Sequence, residues 1–143
     1  MTRKLLCATD GSHAADKAVT LSILLAQQLR VPLAFLTVNL ASEDRTSKTH
    51  FWDDRVLSAA DAQISQVLGK AAAAAKQAGV AEFNCVTLSG REVASAIVDY
   101  AEHNGFDHIV TGSSGYSGVT RLMLGSVASQ VVTRAHCPVT IAR

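Results

Sequence analysis

The chain has 143 residues, of which 48% are apolar, and a formal net charge of +1 at neutral pH. This length corresponds to one domain that buries enough surface to fold without disulfides or a structural metal. The near-neutral charge gives no electrostatic basis for binding nucleic acid. No apolar run approaches the roughly 20 residues that cross a membrane, so a membrane protein is not expected either.

The three cysteines, Cys7, Cys85 and Cys137, are widely spaced and form neither a CxxC pair nor a metal-ligand cluster. We therefore expect reduced and mostly buried thiols. The N-terminal basic pair is followed by an apolar stretch that is too short for a secretory signal. The sequence thus predicts a cytoplasmic location.

The first half of the chain alternates buried strands with helices. Residues 4–9 form a nearly continuous apolar run that ends at a turn, 10–12, which predicts a strand buried on both faces. Helical spacing of apolar residues over 14–29 predicts the first helix, and residues 33–40 predict the second strand. Residues 41–55 are polar without a clear period. Such a segment can close over a ligand, but a variable surface excursion or a partner contact is the commoner role.

The second half continues the alternation. A helix is predicted over 57–78 and ends at Gly79, where a left-handed cap is expected. Residues 83–88 alternate more than the other strands, which favours a place near a sheet edge. Ser89 and Glu92 have the spacing of a capping box that opens a helix. The remaining predicted elements are that helix, to about residue 104, a strand over 108–112, a helix over 125–135 and a strand over 137–142.

Five strands alternating with four helices predict an α/β fold, an open parallel sheet with helices on both faces. We expect the strand order 3-2-1-4-5, in which strands one and four are neighbours at the topological switch point. Asp10 follows strand one and Gly112 ends strand four. Both residues would therefore line the crevice in which this architecture binds ligands.

A glycine-rich segment carries the strongest functional signal. Gly112, Gly115 and Gly125 lie between the end of a strand and the start of a helix, and Ser126 follows the last of them. Glycines let the backbone approach a phosphate, and a helix start adds unpaired N–H groups and a positive dipole end. An ordinary turn is the alternative, and Ser126 could either cap the helix or donate to a phosphate. The segment is neither a P-loop nor a GxGxxG fingerprint.

The spacing Gly112-x2-Gly115-x9-Gly125-Ser126 resembles the signature of the ATP-binding branch of the universal stress protein family. The resemblance extends over the whole chain, from LLCATDGS at the first strand and turn to CPVTIAR at the last strand. It implies one universal stress protein domain over residues 1–143 with an adenine nucleotide alpha hydrolase-like fold. It also implies a homodimer, which the apolar edge strand at 138–142 could form by pairing with its own copy.

The resemblance also implies roles for individual residues. Asp10 would face the nucleoside, the backbone of Val38 would hold the adenine edge, and Thr111 with Gly112 would lie against the ribose. The family often has a proline at the position of Ala8, so some contact with the base is lost here. The expected site residues are Ala8, Thr9, Asp10, Val38, Thr111, Gly112, Gly115, Arg121, Gly125, Ser126 and Val127.

Some of these residues have simpler explanations. Asp10 could help to cap the first helix, although Ser12 is equally well placed to do so. Arg121 could clamp a phosphate or could be a solvated loop residue. The five histidines do not have metal-ligand spacing, and no catalytic triad can be argued from the sequence.

We therefore expect a homodimeric stress-response protein that holds ATP, with Mg²⁺ possible near Asp10 through the phosphates. Occupancy would change the loop over 113–124 and its contacts with a protein partner that the sequence does not identify. AMP or cyclic AMP could replace ATP. The alternatives are a slow ATPase that uses the same site, for which only Arg121 and Asp10 are candidate residues, and a nucleotide-free interaction protein.

Overall fold

A computed structural model gives the architecture for residues 1–40, 53–114 and 123–143. Five parallel strands form one sheet in the order β3-β2-β1-β4-β5, which confirms the predicted fold class and strand order. The strands are β1 (Leu5–Ala8), β2 (Leu33–Leu40), β3 (Phe83–Gly90), β4 (His108–Gly112) and β5 (Val139–Ala142). The helices are α1 (His13–Leu29), α2 (Asp53–Ala78), α3 (Val93–His103) and α4 (Ser126–Arg134).

The core lies on both faces of the sheet, because alternate side chains of a strand point to opposite faces. On one face Leu5, Cys7 and Phe35 pack among residues of α1 and α2. On the other face Leu6 and Leu36 pack among residues of α3 and α4. Both sides of β1 are therefore covered, as its continuous apolar sequence predicts.

The strands separate at their carboxyl ends. The pairing of β1 with β4 ends at Cys7 and Val110, while β2 and β3 stay paired as far as Leu40 and Gly90. The last four residues of β2 thus extend beyond β1, and the Thr37 hydroxyl donates to the Thr9 carbonyl at 2.8 Å. This arrangement leaves a crevice over β1 and β4 with β2 as one wall.

Three local predictions were wrong. Ser89 lies in β3, since the ladder to β2 continues through it, so no capping box forms and α3 begins at Val93 with Glu92 at the cap position. The Glu92 carboxylate instead pairs with Arg134 of α4 at 2.8 Å. The second helix begins at Asp53, earlier than predicted. Cys85 is exposed on the edge strand β3, whereas Cys7 is buried as expected.

Other expectations agree with the structure. Gly79 has φ +81° and ends α2 in the left-handed conformation. Strands β3 and β5 form the two edges of the sheet, where the sequence places them. Among the helices of the described ranges, none is long and apolar enough to cross a membrane.

Candidate functional site

A cavity of about 190 Å³ opens at the carboxyl ends of β1 and β4. It is bounded by the turn after β1, the end of β2, the start of α3 and the start of α4. Nine of the eleven residues predicted from the sequence line it: Ala8, Thr9, Asp10, Val38, Thr111, Gly112, Gly125, Ser126 and Val127. The other two, Gly115 and Arg121, lie outside the described residues, as does most of the polar segment 41–55.

The turn after β1 is held by side-chain hydrogen bonds within the chain. The Ser12 hydroxyl accepts from the Ala15 N–H at 3.2 Å and caps α1. The Asp10 Oδ1 accepts from the Ser12 N–H at 2.9 Å. Asp10 therefore orients Ser12, the residue that caps α1, but does not itself cap the helix. Its carboxylate is exposed and lines the cavity. Within the described ranges its Oδ2 has no hydrogen-bond partner.

Gly112 is a glycine because α1 packs against it. A Cβ at this position would lie 2.7 Å from the Ala14 carbonyl carbon and 2.9 Å from the Ala15 nitrogen. Those are backbone atoms that cannot move without displacing the helix. The first glycine of the motif thus lets α1 begin directly beside the cavity.

Gly125 has a different environment at the start of α4. It is the cap residue, with extended backbone angles, and its N–H donates to the Ser113 carbonyl at 2.7 Å. A Cβ there would lie 3.1 Å from the Ser114 Cα and 3.2 Å from the Ser113 oxygen. The glycine therefore lets the strand end and the helix start approach each other closely.

The start of α4 lacks a side-chain cap. Ser126 is the first helical residue and is exposed, so its hydroxyl does not serve as the cap. The first intrahelical bond of the turn runs from the Ser129 N–H to the Gly125 carbonyl, which leaves the preceding helical N–H groups without an intrahelical partner. The three residues that carry them, Ser126, Val127 and Ala128, line the cavity.

The opposite end of the cavity is apolar and was largely missed by sequence reasoning. Leu36, Val93 and Ile97 line it beside Val38. Ile97 also belongs to the core cluster on the α3 and α4 face of the sheet. The position of α3 in the chain could have indicated Val93 and Ile97. The helix begins just after the carboxyl end of β3, and so at the same end of the sheet as the glycine-rich segment. The other unpredicted lining residues are Ala15, Ser114 and Ala128.

The charges around the cavity are few. Its described lining contains one carboxylate, Asp10, and no lysine, arginine or histidine. Within the described ranges no group of three or more histidine, cysteine or acidic residues could hold a metal ion. Burial raises the pKa of the nearby Cys7 thiol to about 12, although a hydrogen bond with Ser22 acts in the opposite direction, so Cys7 is a poor nucleophile.

Comparison with known proteins identifies the family of the chain. The model of the universal stress protein family matches residues 1–143. The chain belongs to the universal stress protein family. Universal stress protein YxiE of Bacillus subtilis is 32% identical over 151 aligned residues, which cover 100% of both proteins. Universal stress protein UspA from Lactobacillus plantarum has the same fold, with a TM-score of 0.83, 26% identity and coverage of 99% of this chain and 98% of its own.

Solved structures of this fold include complexes with adenine nucleotides. A universal stress protein in complex with cAMP is 24% identical, with a TM-score of 0.75 over 99% of this chain and 97% of its own. The universal stress protein from Archaeoglobus fulgidus in complex with dAMP is 21% identical, with a TM-score of 0.71 and coverage of 100% of this chain and 98% of its own. At these low identities, the similarity to the two complexes supports the fold of our chain and nothing further about it.

Proposed function

We propose that this universal stress protein is a regulatory module that binds an adenine nucleotide, with ATP as its ligand. The observation that carries the proposal is the open start of α4. Its first three N–H groups have no intrahelical partner, no side chain in the described part of the chain caps it, and it faces the cavity. Such a terminus attracts a phosphate through its N–H groups and its dipole.

The rest of the cavity suits the rest of a nucleotide. The apolar end formed by Leu36, Val38 and Ile97 can cover the face of a base. Asp10 follows β1, which lies between β2 and β4 in the sheet, so we place its carboxylate between the apolar end and α4, where it can accept hydrogen bonds from ribose hydroxyls. Mg²⁺ commonly combines one or two carboxylates with substrate phosphates, so Asp10 is the residue through which it would act here. The fold relatives that carry cAMP and dAMP support an adenine ligand.

We favour binding over hydrolysis because the described lining contributes no lysine or arginine to a transferred phosphate; Arg121, the basic residue expected from the sequence, lies outside the described residues. Phosphoryl transfer requires neutralisation of charge on the transferred phosphate, usually by lysine, arginine or metal ions. The part of the lining that the structure describes offers no basic side chain. We therefore assign a nucleotide-dependent regulatory role in the cytoplasm, in which occupancy alters the 113–124 loop and its contacts with a protein partner.

A homodimer formed through β5 is part of this proposal. Val139, Thr140 and Ile141 are only partly buried, and β5 is an edge strand. Pairing with a second copy would satisfy the edge and cover these side chains. Sedimentation at micromolar concentration should give about twice the mass of the 15.0 kDa chain. A single species at the mass of one chain would contradict the dimer and leave the nucleotide site untouched.

Mass spectrometry of the small molecule released by denaturing freshly purified protein tests the ligand. Wild-type protein should release stoichiometric ATP, and Gly125→Val, which places a side chain against Ser113 and Ser114, should release none. Gly69→Val is the matched control, because a Cβ at Gly69 of α2 meets nothing within 4 Å. Absence of nucleotide from wild-type protein, with no thermal shift at millimolar ATP and Mg²⁺, would make the loop structural. Turnover that disappears in the Gly125→Val variant would favour the ATPase.

A further inference from the structure

A polar network joins the two helices whose starts line the cavity. The Arg134 guanidinium, in the last turn of α4, donates from one nitrogen to Glu92 Oε1 and to the Ser95 hydroxyl, both at 2.8 Å. The Ser95 hydroxyl, in the first turn of α3, donates in turn to Glu92 Oε2 at 3.1 Å. Both carboxylate oxygens of Glu92 are thus engaged in one network that ties the start of α3 to the end of α4.

Glu92 does not cap the helix that it precedes. It occupies the cap position of α3 with extended backbone angles, φ −136° and ψ 124°, and within the described residues its side chain makes no capping hydrogen bond. Serine, threonine, asparagine and aspartate are the residues that helix starts favour at this position. Departures from such local preferences are expected where a residue serves a functional site. The contact with Arg134, and not the needs of α3, explains the place of this glutamate.

Helix α4 has few apolar anchors of its own. Of its nine residues, Ala128 and Val131 are buried, whereas α1 buries six. At its start, the Gly125 N–H donates to the Ser113 carbonyl at 2.7 Å. Because so little of α4 is buried, a polar contact at its end contributes more to its position than the same contact would in α1.

The network holds the far end of a helix whose start faces the cavity. A helix rises about 1.5 Å per residue, so Arg134 lies roughly 12 Å along α4 from Ser126. Because α4 is a short rod that packs in the core through Val131, a shift at its end also moves its start. That start lines the cavity together with Val93 and Ile97 of α3. The distance from the open start of α4 to the apolar end of the cavity therefore depends on how α3 and α4 are held together.

We propose that Glu92, Ser95 and Arg134 are positioning residues for the nucleotide. They hold α3 and α4 at the spacing at which one ligand reaches both the apolar end of the cavity and the open start of α4. This inference rests on the proposed nucleotide-binding function and adds the residues that set the geometry of the site. Two linked groups bind more tightly than either alone only where the site lets both engage at once. The network therefore affects a ligand that spans the cavity and not one that occupies a single end.

Calorimetric titration of the purified protein with ATP, adenosine and inorganic tripolyphosphate tests the proposal, because ATP spans the cavity and each fragment occupies one end. Arg134→Gln and Glu92→Gln should each lower the affinity for ATP by about two- to fivefold, the upper range for an exposed ion pair. The affinities for both fragments should stay at their wild-type values. The double variant should lose no more than either single variant, because the first substitution already opens the network.

Lys70→Gln is the matched control. It removes an exposed ion pair, 3.2 Å from Asp16, that joins α2 to α1 on the other face of the sheet. The affinity for ATP should not change in this variant. The side chains of Glu92 and Arg134 are about half exposed, so their variants should keep the fold, which a ligand-free melting curve checks.

The outcomes separate positioning from charge and from stability. Arg134→Gln and Glu92→Gln change the net charge in opposite directions, so a loss of ATP affinity that both variants share does not come from charge alone. A loss confined to Arg134→Gln, and equal for ATP and tripolyphosphate, would show long-range attraction of phosphate and overturn the proposal. Equal losses for all three ligands would mean that the network supports the fold, which also overturns it.

Failure of this inference is distinct from failure of the proposed function. If wild-type protein binds ATP and both single variants keep its full affinity, α3 and α4 hold their spacing without the network. The positioning role is then wrong and the nucleotide site stands. If wild-type protein binds none of the three ligands, the proposed function is wrong and this inference falls with it.

Discussion

Helices α1 and α4 begin at the same edge of the sheet and beside the same cavity, yet their first turns differ. At α1 the Ser12 hydroxyl accepts from the Ala15 N–H, and Asp10 in turn holds the Ser12 N–H. At α4 the cap residue is Gly125, which has no side chain to offer. The first helix start has one N–H, that of Ala15, capped by a side chain, whereas within the described residues the second has none, and its first N–H groups face the cavity.

This difference comes from the placement of one serine. Ser12 is the cap residue of α1, whereas Ser126 is the first helical residue of α4 and comes after its cap. A serine at the cap position can reach the N–H groups of the first turn. A serine one position later cannot fill that role, so its hydroxyl remains available at the cavity. The closed start supports the fold, and the open start is the one suited to a ligand.

Gly112→Ala should have the largest effect, because it forces α1 away from β4. The added Cβ would lie 2.7 Å from backbone atoms of α1, which cannot relax as a side chain could. We expect the free energy of unfolding to fall by about 2–3 kcal/mol, near the upper end for overpacked cores. Chemical denaturation measures this. Gly69→Ala, in open space on α2, should be neutral or slightly stabilising, and an equal loss in both variants would show that the α1 contact is unimportant.

Ser126→Ala should weaken ATP binding without lowering stability. A hydrogen bond from this hydroxyl to a charged phosphate is worth about 1.5 kcal/mol, which corresponds to roughly a tenfold loss of affinity. No helix cap is removed, so the midpoint of thermal unfolding without ligand should match wild type. Titration with ATP and a ligand-free melting curve check both parts. Unchanged affinity would mean that the backbone N–H groups alone hold the phosphate.

Ser12→Ala should give the opposite pattern. Loss of the cap should lower the free energy of unfolding by about 1 kcal/mol. ATP affinity should change little, since the Ser12 hydroxyl is buried against the Ala15 N–H and is absent from the described lining of the cavity. Denaturation and titration of the same sample distinguish the two effects. A Ser12→Ala variant that loses ATP affinity and keeps its stability would reverse the assignment of closed and open starts.

The sequence was sufficient for most of the fold and for the polar part of the site. Buried strands such as Leu5–Ala8 have continuous apolar runs, and the alternation of strands and helices predicts the open parallel sheet. The alternation does not give the strand order; the expected order 3-2-1-4-5, which the structure confirms, is what places the crevice at the switch point. The motif glycines then locate the residues of two loops that meet at this crevice.

What the sequence did not reveal depends on neighbours distant along the chain. The capping-box prediction failed because the ladder of β3 to β2 retains Ser89 in the sheet, and a four-residue pattern contains no information on ladder length. Similarly, Ile97 faces the cavity only because α3 starts beside it, and the reason for Gly112 appears only once α1 is docked. Local sequence patterns thus predict which helices and strands form, whereas contacts between residues distant in the sequence determine where those helices and strands begin and end.

The smallest predicted effect concerns the amino end of β4, at the end of the sheet opposite to the cavity. There the His108 Nδ1 lies 3.1 Å from the Thr2 hydroxyl and its Nε2 lies 2.7 Å from the Thr140 hydroxyl, so both ring nitrogens have partners within the chain. Burial lowers the pKa of His108, although the Asp107 carboxylate acts in the opposite direction.

Because the folded chain takes up this proton less readily than the unfolded chain, the contribution of His108 to stability depends on pH. Stability should be complete above the unfolded pKa, near 6.5, and should decline as the pH falls through that value towards the lower folded pKa. Denaturation between pH 5 and 7.5 should show this slope in wild-type protein and a shallower one in His108→Gln. Equal slopes in the two proteins would show that stability at the amino end of β4 is insensitive to this proton, and a loss of ATP affinity in His108→Gln would show that the two ends of β4 are coupled.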